Sequence, residues 1–185
     1  MPEKKPDRRT QKTKRALCEA LAELLAQKEL HTVTVQEIAD KADVNRGTFY
    51  KHYLDVYDLY EKLENEMLVE MGLLVLTLEE LPPERFFADF LGHINDNRPV
   101  FRLLFSANAP GQMRSRFNKL IEGVFRKIGS EKHDIDLNDP ELEYLNCYRS
   151  HGCIAVIERW VQGGFVTPME LVAGILTKIS RDSWK

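Results

Sequence analysis

Apolar positions along this chain recur at three- and four-residue intervals almost from end to end, and no stretch alternates with period two, so the pattern predicts an all-α protein. Ala16, Leu17, Ala20, Leu21, Leu24 and Leu25 form one stripe, which predicts a first helix from about Asp7 to Gln27. Leu30 and Val33 follow as core plugs in a short link, with His31 structural or exposed. Thr34 and Glu37 have the spacing of a capping box and mark the start of a helix over Val35–Ala42 with Ile38, Ala39 and Ala42 on its apolar face. Asp43-Val44-Asn45 is too short for anything but a turn. Asp43 tolerates a left-handed backbone there, Val44 points inward, and Asn45 caps the next helix, Arg46 to about His52. That helix buries Phe49 and Tyr53 and turns its remaining side chains outward. The pattern is a helix-turn-helix.

Downstream, Asp55 caps a long helix to about Glu79 that carries Tyr57, Leu59, Tyr60, Leu63, Met67, Leu68, Met71, Leu74 and Val75. Pro82-Pro83 ends it and opens a helix to about Asn95 with Phe86, Phe87, Phe90, Leu91 and Ile94. Arg98-Pro99 interrupts, Val100–Phe105 is a short apolar helix, and Ala109-Pro110-Gly111 is a turn. Met113–Ile128 is amphipathic, and Gly129–Asn138 reads as the most loop-like part of the second half. Asp139-Pro140 starts a helix that stops near Gln162 at Gly163-Gly164, and Thr167-Pro168-Met169-Glu170 starts the last, to about Ser180.

Composition narrows the class. At 43% apolar and 30% charged residues, the 185-residue chain reads as globular rather than disordered. Its longest apolar runs, such as Met71–Leu76, are too short to span a bilayer, and no apolar segment follows Met1, so the expected location is cytoplasmic. Cys18, Cys147 and Cys153 suggest neither disulfide nor metal pairing. The five His residues show no metal-ligand spacing, and there is no phosphate-binding glycine loop or flanked nucleophile, so the expectation is no cofactor, no metal and no enzymatic activity.

Charge changes the picture more. Residues 1–53 hold eleven Lys/Arg against eight Asp/Glu, a balance of +3, whereas residues 54–185 hold fifteen against twenty-one, a balance of −6. Seven of the cations lie in the first fifteen residues: Lys4, Lys5, Arg8, Arg9, Lys12, Lys14 and Arg15. A local basic surface is what phosphate binding requires, and an acidic remainder discourages adhesion elsewhere.

The run Ile38-Ala39, Ala42, Val44, Gly47-Thr48-Phe49-Tyr50, His52 and Tyr53 resembles the signature of the tetracycline-repressor (TetR) family of transcriptional regulators. The family usually has Gly where this chain has Asp43, and a phosphate-binding Lys at the start of the following helix where this chain has Val56. The resemblance implies a helix-turn-helix DNA-binding domain with a basic arm over residues 1–54 and a helical ligand-binding and dimerisation domain over 55–185. The residues expected at DNA are Arg9, Thr34, Asn45, Arg46, Gly47, Thr48, Tyr50, Lys51 and His52, with Arg46 placed to reach a guanine edge. In such proteins the last two helices pair with their copies in a second subunit. Tyr144, Tyr148, Ile154, Ile157, Trp160, Val161, Leu171 and Ile175 are the expected homodimer contacts.

A small apolar or aromatic effector is expected to release the repressor from its double-stranded operator. Tyr60, Met67, Met71, Phe86, Phe90, Phe101, Phe105, Met113 and Phe117 are its candidate pocket walls, although each is also an ordinary core residue. The alternative is a TetR-like co-regulator whose second domain binds a partner protein.

Overall fold

The computed structural model describes residues 8–78, 81–110, 112–132 and 140–182. Among them every regular element is helical: α1 (Arg8–Leu25), a 3-10 turn (Leu30–Thr32), α2 (Val35–Lys41), α3 (Arg46–Tyr50), α4 (Val56–Leu78), α5 (Pro83–Asp96), α6 (Arg98–Leu104), α7 (Gln112–Lys132), α8 (Pro140–Gln162) and α9 (Met169–Asp182). The fold is all-α, as the periodicity requires. Lys4 and Lys5 of the basic arm, Gly111 of the turn, residues 133–138 of the expected loop and the Asp139 cap lie outside the described residues.

The described residues form two compact units. The first comprises residues up to Glu66 together with Pro99–Pro110, and the second comprises Met67–Arg98 and the described residues after Gly111. The division therefore does not coincide with a cut at residue 54, because the beginning of α4 and α6 from Pro99 onward group with the helix-turn-helix. Long-range hydrogen bonds tie the segment after α6 into the first unit. Ser106 Oγ and Asn108 Nδ2 both donate to the carbonyl of Leu25, each at 2.8 Å. Leu25 is the last residue of α1, where a helix leaves carbonyls without intrahelical donors, so these two side chains satisfy that end. Tyr60 Oη also donates to the carbonyl of Pro110 at 3.4 Å.

In the first unit α1 packs on α2, and α2 on α3. Leu17, Cys18, Ala20, Leu21 and Leu25 of α1 are buried, whereas Ala16 and Leu24 of the expected stripe are only half-buried and Cys18 takes a place in the core. Burial pushes the Cys18 thiol, and that of Cys153 in the second unit, up to about 12. Leu30 and Val33 are buried under the link, and His31 is exposed beside Glu29.

In the second unit α5 packs on α9, and α8 on both α7 and α9. The apolar face of α5 is buried as expected through Phe86, Phe87, Phe90, Leu91 and Ile94. Three boundaries differ from the sequence reading. Helix α5 ends at Asp96 with Asn97 as its cap, and Arg98-Pro99 opens α6 instead of interrupting, since a proline without its N–H is accommodated in a first helical turn. Helix α7 continues through Gly129 to Lys132, so the beginning of the expected loop is helical; a single glycine weakens a helix without ending it. Helix α9 begins at Met169 with Pro168 as its cap, whose carbonyl accepts the N–H groups of Leu171 and Val172. Gly163-Gly164 does stop α8. Gly164 has φ +73°, its N–H reaches Val161 O and that of Phe165 reaches Trp160 O, and the Trp160 and Phe165 rings meet edge to face at 4.8 Å.

Candidate nucleic-acid interface

The helix-turn-helix is assembled by local hydrogen bonding that its sequence specifies residue by residue. Thr34 caps α2 in a complete capping box: the Glu37 N–H donates to Thr34 Oγ1, and the Glu37 carboxylate accepts from the Thr34 N–H at 2.9 Å. Lys28 Nζ reaches the same carboxylate at 2.6 Å. That contact first, and the Thr34 N–H and hydroxyl after it, hold the Glu37 carboxyl down at about 2. Lys41 at the other end of α2 pairs with Glu23 of α1 at 2.7 Å.

Helix α2 stops in a left-handed closure. Asp43 has φ +52°, its N–H donates to Asp40 O at 3.2 Å and the Val44 N–H reaches Ala39 O at 3.0 Å. These paired bonds satisfy carbonyls at the end of the helix and reverse the chain within three residues. Asn45 then caps α3, its side chain accepting from the Gly47 N–H at 2.7 Å. A Cβ at Gly47 would lie 3.2 Å from Asn45 Oδ1, so a side chain there would press on the cap.

The regular part of α3 is short, ending at Tyr50 with Lys51 as cap, but the Tyr53 N–H still donates to Phe49 O at 3.0 Å and carries the turn onward. Phe49 is fully buried and Tyr53 nearly so, their ring centroids 5.7 Å apart. This back face fixes the helix. Its outer side holds Arg46, Gly47, Tyr50 and Lys51, all exposed, with Thr48 and His52 half-buried. Arg46 is not loose: its Nη2 donates to Tyr50 Oη at 3.1 Å, and its guanidinium carbon lies 5.8 Å from the Tyr50 ring centroid. Asn45 and Thr34 spend their side chains on caps, and Arg9 is exposed in the first turn of α1. The outward groups of α3 are hydrogen-bond donors and one cation pair, the equipment for acceptor-rich base edges and phosphates.

Val56 opens α4 and is buried, so it faces away from any bound anion. The N–H groups there already have carboxylate partners: the Asp58 N–H donates to Asp55 Oδ1 and the Leu54 N–H to Asp58 Oδ2, both at 2.8 Å. Lys62 bonds to Asp58 at 2.8 Å and, ahead of the Leu54 N–H, holds that carboxyl below its ordinary value. Two of the N–H groups at this helix start are thus already satisfied by carboxylates of the same chain.

The other expected site residues separate by unit. Tyr60, Phe101 and Phe105 are buried in the first unit; Met67, Met71, Phe86, Phe90, Met113 and Phe117 are buried in the second, where Phe86 stacks on Phe90 at 5.6 Å and Phe90 meets Phe117 at 6.4 Å. The expected dimer contacts divide as well. Ile154, Ile157, Trp160 and Val161 are buried inside the single chain, with Trp160 Nε1 donating to Thr167 O at 2.8 Å, so these four are core and offer nothing to a partner. Tyr144, Tyr148, Leu171 and Ile175 remain exposed. Ser106 and Asn108, which secure the end of α1, were not singled out from the sequence. Their role depends on a contact across some eighty residues that no local pattern signals.

This arrangement defines a helix-turn-helix protein with a separate helical unit, and comparison with known proteins agrees. The family profile of bacterial regulatory proteins of the tetR type matches residues 17–63, and that of the transcriptional regulator C-terminal region matches residues 83–182. The chain belongs to the tetR family of bacterial transcriptional regulators. An HTH-type transcriptional regulator of Bacillus subtilis (strain 168), YxbF, is 32% identical over 151 residues, covering 77% of this chain and 38% of that protein. The chain thus matches well under half the length of that relative. A TetR transcriptional regulator from Streptococcus agalactiae 2603V superposes with a TM-score of 0.60 at 25% identity, over 94% of this chain and 96% of that one. The transcriptional regulator FadR from Bacillus subtilis, solved in complex with stearoyl-CoA, has the same fold at a TM-score of 0.60 and 14% identity, over 91% and 98% of the two chains. Among the described residues no helix is long and apolar enough to cross a membrane, and no group of three or more His, Cys, Asp or Glu side chains has the arrangement of a metal site.

Proposed function

We propose that this chain is a DNA-binding transcriptional regulator that works as a homodimer, with residues 1–54 docking on the operator and residues 55–185 taking a small apolar or aromatic effector that releases it. The observation that carries the reading is the outer side of α3, where Arg46, Gly47, Tyr50 and Lys51 stand exposed over a core-locked Phe49. Such a helix enters a major groove with its first residues at the base edges. One helix-turn-helix makes too few contacts to be selective, so two copies dock about 34–36 Å apart on a twofold-symmetric site. Tyr144 and Tyr148 of α8, with Leu171 and Ile175 of α9, are apolar surfaces that a second copy would cover. The buried aromatic and methionine side chains of the second unit suit an apolar effector, which acts only as far as it binds one conformation more tightly than the other. A partner protein in the effector's place is the second reading. It is favoured by the row Val69, Leu73 and Leu76 on α4, each more than 60% exposed.

The test is selection from a randomised duplex pool followed by titration across salt concentrations. Enrichment of a twofold-symmetric site is expected, with log affinity falling by about 0.9 per phosphate contacted for each decade of salt. Removal of residues 1–9 should shallow that slope. A protein that enriches no sequence, and binds only as weakly as its net charge allows, would refute the assignment.

A further inference from the structure

We propose that Tyr50 is a positioning residue for Arg46, and that the two read one guanine in each half-site as a unit. The inference rests on the reading of α3 as the groove-entering helix and gives Tyr50 a task beyond its expected place at DNA. The two residues are one helical turn apart, the spacing at which side chains on a helix meet. Arg46 Nη2 donates to Tyr50 Oη at 3.1 Å, and the guanidinium lies 5.8 Å from the ring centroid, within reach of a cation–π interaction. Tyr50 is itself held from below. Its ring stands at 84° to that of Phe49, 5.7 Å between centroids, and Phe49 has no exposed surface. Restraint thus runs from the core through two rings to a guanidinium that would otherwise sample many rotamers in water.

The contact uses little of what arginine offers. Guanidinium has five N–H donors in a planar fork, and the phenol oxygen occupies one. Enough remain for the paired bonds to O6 and N7 of guanine, the bidentate contact for which a fixed plane matters most. The exposure of both side chains leaves that edge open. A pre-oriented arginine loses less freedom on binding, and it is poorly placed to swing to a neighbouring base. Tyr50 therefore acts on base preference through Arg46.

The full-length protein and its Arg46→Ala, Tyr50→Phe and combined variants are each put through selection and salt titration. Arg46→Ala should erase the guanine preference at one position per half-site. Tyr50→Phe keeps the ring on Phe49 and removes only the hydroxyl. It should reduce that same preference roughly three- to tenfold, with unchanged salt slope and unchanged affinity for sites lacking the guanine. In the Arg46→Ala background, Tyr50→Phe should change nothing further. An even loss on all sequences, with or without the guanine, would make Tyr50 a phosphate ligand and overturn the proposal. Increased guanine preference in Tyr50→Phe would mean that the pair restrains Arg46 from the groove, and no change at all would show the hydroxyl to be idle; either overturns it. Failure of the underlying reading looks different: the wild-type protein would enrich no motif and Arg46→Ala would behave like it.

Discussion

Asp43 is the position at which one backbone angle should govern both stability and DNA binding. Its φ of +52° places an L-residue in the left-handed region, where the Cβ crowds the adjoining carbonyl at a cost of about 1–2 kcal/mol for most side chains. Asp lies at the low end of that range, and glycine escapes the crowding but loses more freedom on folding. The difference leaves Asp43→Gly more stable than wild type by up to about 0.5 kcal/mol. Asp43→Val, β-branched and without a polar group to bond locally, lies at the upper end and should lose about 1 kcal/mol relative to wild type. Asp43→Asn separates conformation from charge: it tolerates the same backbone and removes the carboxylate three residues before α3 begins. Hydrogen exchange at the Asp43 and Val44 amides, which close α2 onto Asp40 and Ala39, reads the local free energy directly. Affinity for the selected operator at low salt should rise in both Asp43→Gly and Asp43→Asn, because a negative charge near the phosphates is gone, and the gain should fade at high salt. If Asp43→Gly exchanges faster than wild type, or if Asp43→Val matches it, the left-handed closure is not what holds the turn.

Three further outcomes follow from the geometry. Tyr148→Glu, at an exposed position of α8, should yield folded monomers by light scattering with specific DNA binding lost, whereas Ile157→Glu, at a fully buried one, should unfold the second unit because it strands a charge in the core. The Glu37 carboxyl is depressed to about 2 in the folded chain, so its capping contribution is complete above the ordinary carboxylate value near 4.5 and is lost as pH falls from there through about 2; amide exchange in α2 should quicken over that window, and Glu37→Gln should flatten the response. Replacing Ser106 and Asn108 together by Ala removes both donors from the Leu25 carbonyl and should cost about 1–3 kcal/mol, with faster exchange in the link after α1; unaltered exchange there would mean that solvent satisfies that carbonyl equally well.

The sequence by itself determined the features whose causes are local. A capping box needs only Thr34 and Glu37, a left-handed turn only a residue such as Asp43, and an N-cap only Asn45, so the helix-turn-helix and the outward residues of α3 were legible in twenty consecutive letters. The Arg46–Tyr50 pair could also have been read there, since a donor and a phenol four residues apart on a helix share one side. Periodicity likewise marked which positions are apolar, but it could not say what covers them. Ile154, Ile157, Trp160 and Val161 look the same in sequence whether they meet α7 and α9 of their own chain or a second copy. Only the packing of α8 between those two helices decided for the interior and left Tyr144 and Tyr148 outside. The same holds for residues 99–110. Their membership in the first unit depends on Ser106 and Asn108 meeting the end of α1, and closing so long a loop is a property of the folded chain as a whole, with no trace in neighbouring residues.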